Sequence, residues 1–408
     1  MMATSTENSL PLAIHGGQPV RKKPMPARRA LGAHEKAMMD EVYYWYHRQG
    51  LDPGYQGHFE ELYCQCIVEY MGGGFADAVA TGTVSLFVVL SALNLPKGSD
   101  VLVSPITDPG TLSAIILLGL RPKLVDAKPF HYNTGFEQVI ARIDAKTSCV
   151  LAVHAAGQAV SDIEQIVEYC RARNIRVLED CSQAHGARIH GRLVGTFGDM
   201  AAFSTMYRKA SITGPTGGFI YTKNENYYHQ ALAHADRGKP RWRNDFNDRD
   251  PAQFLFPALN LHASEIACAI GLASWERLPT TIKNRQNFIT KLSQRLKNES
   301  EICHALPTLG SDSPFYLPIF VNLKRIRCSK NDFSRAVMAE GIGLNPDYRY
   351  LVEEWPWVQS YLADTFHCEQ AKLARDHSFC LYLNEHYGEE ELDDVLAALL
   401  KVEKHFIK

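Results

Sequence analysis

From Ala76 to Asp180 short apolar runs alternate with amphipathic helix patterns, and no other feature limits the folds open to this chain as strongly. The runs 78–80, 100–103, 123–126, 149–154 and 175–180 are rich in Val, Leu, Ile and Ala and too short to be helices. Between them, 83–93, 111–118 and 161–173 repeat apolar residues at helical spacing. Strands separated by helices pair in parallel, because a parallel neighbour needs a crossover long enough to hold a helix. The expected fold class is therefore α/β, with a mostly parallel central sheet flanked by helices.

The chain has 408 residues, more than one simple core holds. Residues 34–70 read as helices with a polar break at 50–57. Beyond Ile270 the composition shifts. A long amphipathic helix is expected over 275–296, its polar face carrying Glu276, Arg277, Lys283 and Arg285. The remainder mixes a short strand (318–322) with helices (330–340 and 389–405). The expected division is a large lobe over 1–280, including the N-terminal segment, and a smaller α+β lobe over 281–408.

Composition excludes several classes of function. The 43 Lys and Arg nearly balance the 45 Asp and Glu, so no global field points to nucleic acid or to a membrane surface. The longest apolar stretches, 84–95 and 112–120, are too short to span a bilayer. The polar run Met1–Asn8 lacks the apolar core of a secretory signal. Ten cysteines occur without a Cys-x-x-Cys pair, and Cys64 and Cys66 form only Cys-x-Cys. Free thiols in a reducing cytoplasm are expected, and the scattered histidines suggest no metal site.

Three segments carry chemistry. Val177-Leu178-Glu179-Asp180 is a short buried strand ending in a carboxylate, followed by Cys181-Ser182-Gln183-Ala184-His185. Phe203-Ser204 leads to Tyr207-Arg208-Lys209, and Thr213-Gly214-Pro215-Thr216-Gly217-Gly218 follows. A buried carboxylate needs a partner. A lysine held among small residues near such an acid is what a pyridoxal 5′-phosphate (PLP) enzyme requires: the amine condenses with the cofactor aldehyde, and the acid keeps the ring protonated. Upstream, Ala80-Thr81-Gly82-Thr83 joins a strand to a helix, where backbone N–H groups and the helix dipole favour a phosphate.

Together these segments resemble the DegT/DnrJ/EryC1/StrS aminotransferases, sugar and cyclitol enzymes of PLP fold type I. The resemblance runs from about Gly16 to the C-terminus. It implies that Lys209 binds PLP and moves the proton, Asp180 holds the pyridine nitrogen, and Gln183 bonds the ring hydroxyl. Gly82, Thr83 and Ser204 would hold the phosphate. Asn260 would reach the cofactor phosphate of a second subunit, which implies a homodimer.

The implied reaction moves an amino group from glutamate or glutamine to a keto-sugar, expected to be nucleotide-linked. A keto-cyclitol acceptor, a dehydratase or lyase of the same fold, and a non-catalytic regulatory protein are the alternatives. Family members that remove a hydroxyl carry His in place of the lysine. One position departs from the pattern: Asp108, in Thr107-Asp108-Pro109-Gly110, stands where the family has an aromatic that stacks on the pyridine. Asp108, His185 near the cofactor turn, and Arg237 in the basic run 236–243 are the candidate substrate contacts.

Overall fold

The structure is a computed structural model and describes residues 11–408. The polar run Met1–Asn8 therefore lies outside the described residues. Two helices, α1 (Ala33–Gln49) and α2 (His58–Met71), come first, separated where the polar break was expected. The large sheet is built from β1 (Phe75–Val79), β2 (Asp100–Val103), β3 (Arg121–Leu124), β4 (Thr147–Val153) and β5 (Arg176–Asp180), followed by the hairpin β6 (Arg188–Ile189) and β7 (Arg192–Leu193), and then β8 (Met200–Ser204) and β9 (Gly218–Thr222). Its order is β1-β9-β8-β5-β4-β2-β3, and β9 alone runs against its neighbours. The β6–β7 hairpin pairs apart from it. The helices α3 (Gly82–Ala92), α4 (Pro109–Leu117), α5 (Phe136–Ile140), α6 (Ile163–Arg171) and α7 (Glu225–Ala235) follow strands of this sheet or pack on it.

The strands read from the sequence are present, each within two or three residues of its expected start. The pair β8–β9 was not read as strands. Both are buried at every position, so they lack the alternation that marks a half-exposed strand.

The long helix α8 (Glu265–Glu299) starts earlier than its amphipathic stretch suggested. Ser264 caps it by accepting a hydrogen bond from the Ala267 N–H at 3.2 Å. Its first turns bury Cys268, Ala269, Ile270 and Gly271 and so show no polar face. This single helix runs through the expected lobe boundary at 280, packing on α1 and α2 at one end and on β10 (Cys303–Ala305) at the other. The second sheet, order β10-β11-β13-β12, is antiparallel and comprises β11 (Tyr316–Val321), β12 (Leu344–Asn345) and β13 (Ser378–Tyr382). The helices α9 (Lys330–Ala339), α10 (Glu369–Asp376) and α11 (Glu389–Phe406) cover it.

The start of the N-terminal segment, grouped with the first lobe in the sequence reading, docks on the second as far as Arg21. Leu12 is fully buried in the core beneath the antiparallel sheet. Glu340 accepts hydrogen bonds from the Ala13 and Val20 N–H groups at 2.9 and 3.0 Å. Arg21 pairs with Glu391 at 3.0 Å and Asp394 at 2.7 Å. Those charged partners lie more than three hundred residues away in sequence, beyond the reach of local pattern.

Beneath the end of β5, Glu179 is fully buried and saturated. It accepts hydrogen bonds from the N–H groups of Gly195, Phe197 and Gly198 at 2.7–2.8 Å. His154 Nε2 lies 3.1 Å from its carboxylate. His154 Nδ1 accepts from the Val160 N–H at 2.9 Å, so Nε2 carries the proton toward Glu179. Cys181 completes a group whose ligand atoms fall within 4.8 Å, but burial keeps its thiol protonated and the other acceptors are taken. The cluster is a structural latch that fixes the strand carrying Asp180. Glu179→Ala strands buried N–H groups and should lower stability by about 3 kcal/mol or more, read as a shift in the denaturant midpoint, with Glu179→Gln costing less. An unchanged midpoint would show that the latch is slack.

Candidate active site

Strands β1, β2, β5 and β8 run the same way, and the residues that follow their C-terminal ends converge on one cavity of about 690 Å³. Ligand sites in parallel sheets form at this edge. The second lobe closes the cavity from the other side with Phe315, Tyr316 and Tyr348.

After β1, Thr81 caps α3, its side chain accepting from the Val84 N–H at 2.9 Å. Gly82 and Thr83 then present the first turn of the helix to the cavity. A Cβ on Gly82 would lie 2.4 Å from the Ser204 Cβ, so only glycine lets helix and strand approach this closely. Ser85 Oγ ties the two elements together, donating to the Gly82 carbonyl at 2.7 Å and the Phe203 carbonyl at 3.2 Å. A cradle of helix N–H groups and hydroxyls with no carboxylate among them suits an anion. Gly217 closes the loop beyond at φ +148, and a Cβ there would collide with Thr213 Oγ1.

After β5, Asp180 is buried with 5 % exposure and faces the cavity. Its Oδ1 accepts from the Ser182 N–H at 3.0 Å and its Oδ2 from Thr111 Oγ1 at 3.3 Å. Thr107 Oγ1 lies 2.8 Å from Thr111 Oγ1, extending this network. Gln183 lines the cavity while its Oε1 accepts from the Ala156 N–H at 2.8 Å.

After β8, the chain turns through 205–208 and delivers Lys209, 9 % exposed, into the same space. Its Nζ lies 4.5 Å from the centre of the Phe315 ring. Burial pulls the amine from its usual 10.5 down to about 8, against the opposing pull of Asp180 and Asp108. Roughly a tenth of this lysine is thus neutral, and nucleophilic, at pH 7, where an exposed lysine is neutral to less than about a thousandth.

The remaining candidates divide. Asp108 lines the cavity rim and caps α4, its Oδ1 accepting from the Gly110 N–H at 2.9 Å. The Asp-Pro-Gly sequence is thus a helix start, with Pro109 in the first turn. His185 lies behind the cavity wall among Phe203, Phe219 and Trp275, ring centres 5.8–6.5 Å away. Burial, and then the charge of Lys209, lowers it to about 3, so it stays neutral. Arg237 and Asn260 do not line the cavity of their own chain. Arg237 donates to the fully buried Asp236 at 2.8 Å. Asn260 is exposed, on a loop bridged to Asp236.

Sequence reasoning missed Thr111, Arg28 and the aromatics of the second lobe. Arg28 lines the cavity but is spoken for, donating to Glu385 at 3.0 Å and to the Tyr207 and Ala210 carbonyls at 3.1 and 3.0 Å. Only Thr111, four residues beyond Thr107, carried a local signal.

Comparison with known proteins follows the same lines. A protein of Streptoalloteichus tenebrarius assigned as an L-glutamine:3-amino-2,3-dideoxy-scyllo-inosose aminotransferase is 27 % identical, over 97 % of this chain and 98 % of its own length. A GDP-perosamine synthase of Escherichia coli O157:H7 is 31 % identical over 56 % of this chain and 63 % of its own. Among solved structures, the aminotransferase TlmJ of Streptoalloteichus hindustanus superposes with a TM-score of 0.80 at 22 % identity, covering 92 % of this chain and 97 % of that one. The GDP-4-keto-6-deoxy-D-mannose-3-dehydratase of E. coli with bound hydrated PLP superposes at 0.83 with 20 % identity, covering 92 % and 98 %. These two likenesses speak for the fold. Residues 51–400 match the DegT/DnrJ/EryC1/StrS aminotransferase family as a whole, and the chain belongs to that family.

Proposed function

We propose that the protein is a PLP-dependent aminotransferase that places an amino group on the keto carbon of a sugar or cyclitol ring. The observation that carries this reading is the pairing of a buried, partly neutral Lys209 with the buried Asp180 carboxylate in one cavity. The residues present fit PLP: Gly82, Thr83 and Ser204 face the cavity together, brought close by the missing side chain of Gly82, and the cavity lies in the size range of small-molecule sites. PLP, when bound, supplies the electron sink that lets a substrate amine lose its Cα proton.

The chain's own residues have separate tasks. The N–H groups opening α3, with Thr83 and Ser204, would hold the phosphate. Asp180 would keep a proton on the ring nitrogen, its carboxylate aimed by Ser182 and Thr111. Gln183 would bond the ring hydroxyl. Lys209 Nζ takes the proton from the donor's Cα and hands it on, then reverses the transfer for the acceptor. Lysine at this place, and not histidine, supports amino transfer over hydroxyl removal.

The donor is glutamate or glutamine. Asn260 and its loop would serve the second copy of a homodimer, with exposed Leu255, Leu259 and Ile266 flanking it as contact surface. Ten free cysteines suit a reducing cytoplasm. No helix among the described residues is long and apolar enough to cross a membrane.

Lys209→Ala should lower the transamination rate by roughly 10³-fold or more, and Asp180→Asn by roughly 100-fold, both in single turnovers with the amino donor. A normal rate in either variant removes that residue from its role. The reaction of the apo-protein with PLP should rise with pH to a midpoint near 8, where an exposed lysine would give about 10.4, because the neutral amine is the nucleophile. Asp108→Asn removes a charge that favours the protonated amine, so the midpoint should move down. An upward shift contradicts that placement. Sedimentation should show a dimer, and a fully active monomer would refute the shared site.

A further inference from the structure

Lys209 is buried, yet the turn that carries it reaches the surface, with Tyr207 and Arg208 exposed. The carbonyls on either side of the lysine are held by a side chain far away in sequence. Arg28 Nη1 donates to the Tyr207 carbonyl at 3.1 Å and Nη2 to the Ala210 carbonyl at 3.0 Å. Its Nε donates to Glu385 at 3.0 Å. All three guanidinium nitrogens are engaged, so the group forms a bracket around the lysine turn.

The bracket is itself anchored. Beyond Arg21 the N-terminal segment crosses between the lobes. Asn384 Nδ2 donates to the Pro26 carbonyl at 2.7 Å, and His386 Nε2 lies 2.9 Å from the Arg28 carbonyl. Arg277 of α8 donates to the Ala30 carbonyl at 3.1 Å. Glu385, buried in the loop between β13 and α11, accepts from Arg28 and also from Arg285 Nη2 at 2.8 Å. Arg285, fully buried on α8, donates through Nη1 to the Pro314 carbonyl at 3.1 Å. The next residue is Phe315, whose ring centre lies 4.5 Å from Lys209 Nζ. One buried carboxylate thus ties down both the turn that carries Lys209 and the ring that covers its amine.

Burial works to raise the Glu385 carboxyl, but Arg285 and Arg28 hold it below the usual carboxylate range, so it stays charged. Charge-assisted bonds to a planar guanidinium fix geometry as well as adding energy, and an ammonium cannot reproduce the fork. Geometry matters at this place. An amine that moves a proton must sit within hydrogen-bond reach of it, and a misplacement of about 1 Å costs on the order of 100-fold in rate.

We propose that Arg28, aimed by Glu385, is the positioning residue for Lys209: it fixes the backbone of the lysine turn, keeps the amine out of water and within reach of the proton it moves, and makes no bond to substrate. The proton step in this proposal rests on the aminotransferase reading above, whereas the placement of Lys209 is a property of the chain alone.

The test compares the unaltered full-length chain with Arg28→Ala, Arg28→Lys and Glu385→Gln in two arms. In the first, the chain without cofactor is pulse-acetylated with acetic anhydride over a pH series, and the peptide containing Lys209 is quantified by mass spectrometry. The unaltered chain should show a midpoint near 8. In Arg28→Ala and Glu385→Gln the turn relaxes into water, so the midpoint should move up toward about 10.4. Amides of residues 205–212 should exchange with deuterium about 10-fold faster or more. Methylguanidinium added to Arg28→Ala should restore the midpoint, and Arg28→Lys should not. Glu385→Gln, which keeps the side chain's shape, carries this arm should Arg28→Ala fail to fold. In the second arm the PLP-loaded enzyme is followed through the donor half-reaction with glutamine or glutamate. Arg28→Ala and Glu385→Gln should lower the rate at saturation by about 10- to 100-fold and leave the donor KM within about 2-fold. A Lys209 midpoint that does not move in either variant overturns the proposal, whatever the change in the denaturant midpoint, because the bracket then serves folding only. A raised donor KM with an unchanged saturating rate also overturns it, by making Arg28 a substrate contact. If the unaltered enzyme shows no donor half-reaction while the acetylation midpoints shift as expected, the aminotransferase reading fails and the placement of Lys209 by Arg28 stands.

Discussion

A lysine amine withdrawn from water is the constraint on which the arrangement depends. An ammonium group loses hydration when buried and shifts toward its neutral form. Lys209 reaches that state because two lobes close over it: β8 and its following turn deliver the side chain, and Phe315 from the far side lies against it. The contact is held by backbone. The Phe315 and Ser313 N–H groups donate to the Ala156 and Gly157 carbonyls at 3.1 and 2.9 Å. Gly157, at φ +85 and too near the Ser313 carbonyl for any Cβ, makes that approach possible. Ala156 also donates to Gln183, so the lobe junction and the cavity wall share one short segment.

Much of this was legible in the sequence, for a physical reason. Parallel strands buried on both faces must be apolar throughout, and the crossover helices between them must be amphipathic, so the alternation leaves a local imprint. The site residues that follow strand ends inherit that imprint: Thr81 and Gly82 after β1, Asp180 after β5, and Ser204 and Lys209 around the end of β8 are each read from a strand or a neighbouring motif. What was lost lacks local pattern. The strands β8 and β9 are uniformly buried, and the first turns of α8 are mostly apolar, without a continuous polar face. The docking of Leu12 and Arg21 on the second lobe depends on partners far along the chain.

Two residues show how context decides what a side chain does. Asp108 breaks the family pattern, and the structure gives it a local task as the cap of α4 while leaving it at the cavity rim. Arg237, in a basic run, was a candidate substrate contact, but Asp236, fully buried, draws Arg237 and Arg241 to itself. A count of basic residues cannot reveal a buried acid that consumes them. Tyr316 and Tyr348 are the converse case: ordinary aromatics in sequence, assembled into a cavity wall only when the second sheet folds against the first.

The central claim is that Lys209 is the residue that engages the cofactor. The apo-protein should be loaded with PLP, reduced with borohydride, digested and mapped by mass spectrometry. The account predicts one reduced pyridoxyl group per chain, carried by the peptide containing Lys209. A label spread over several lysines, or fixed on a different one, would contradict it.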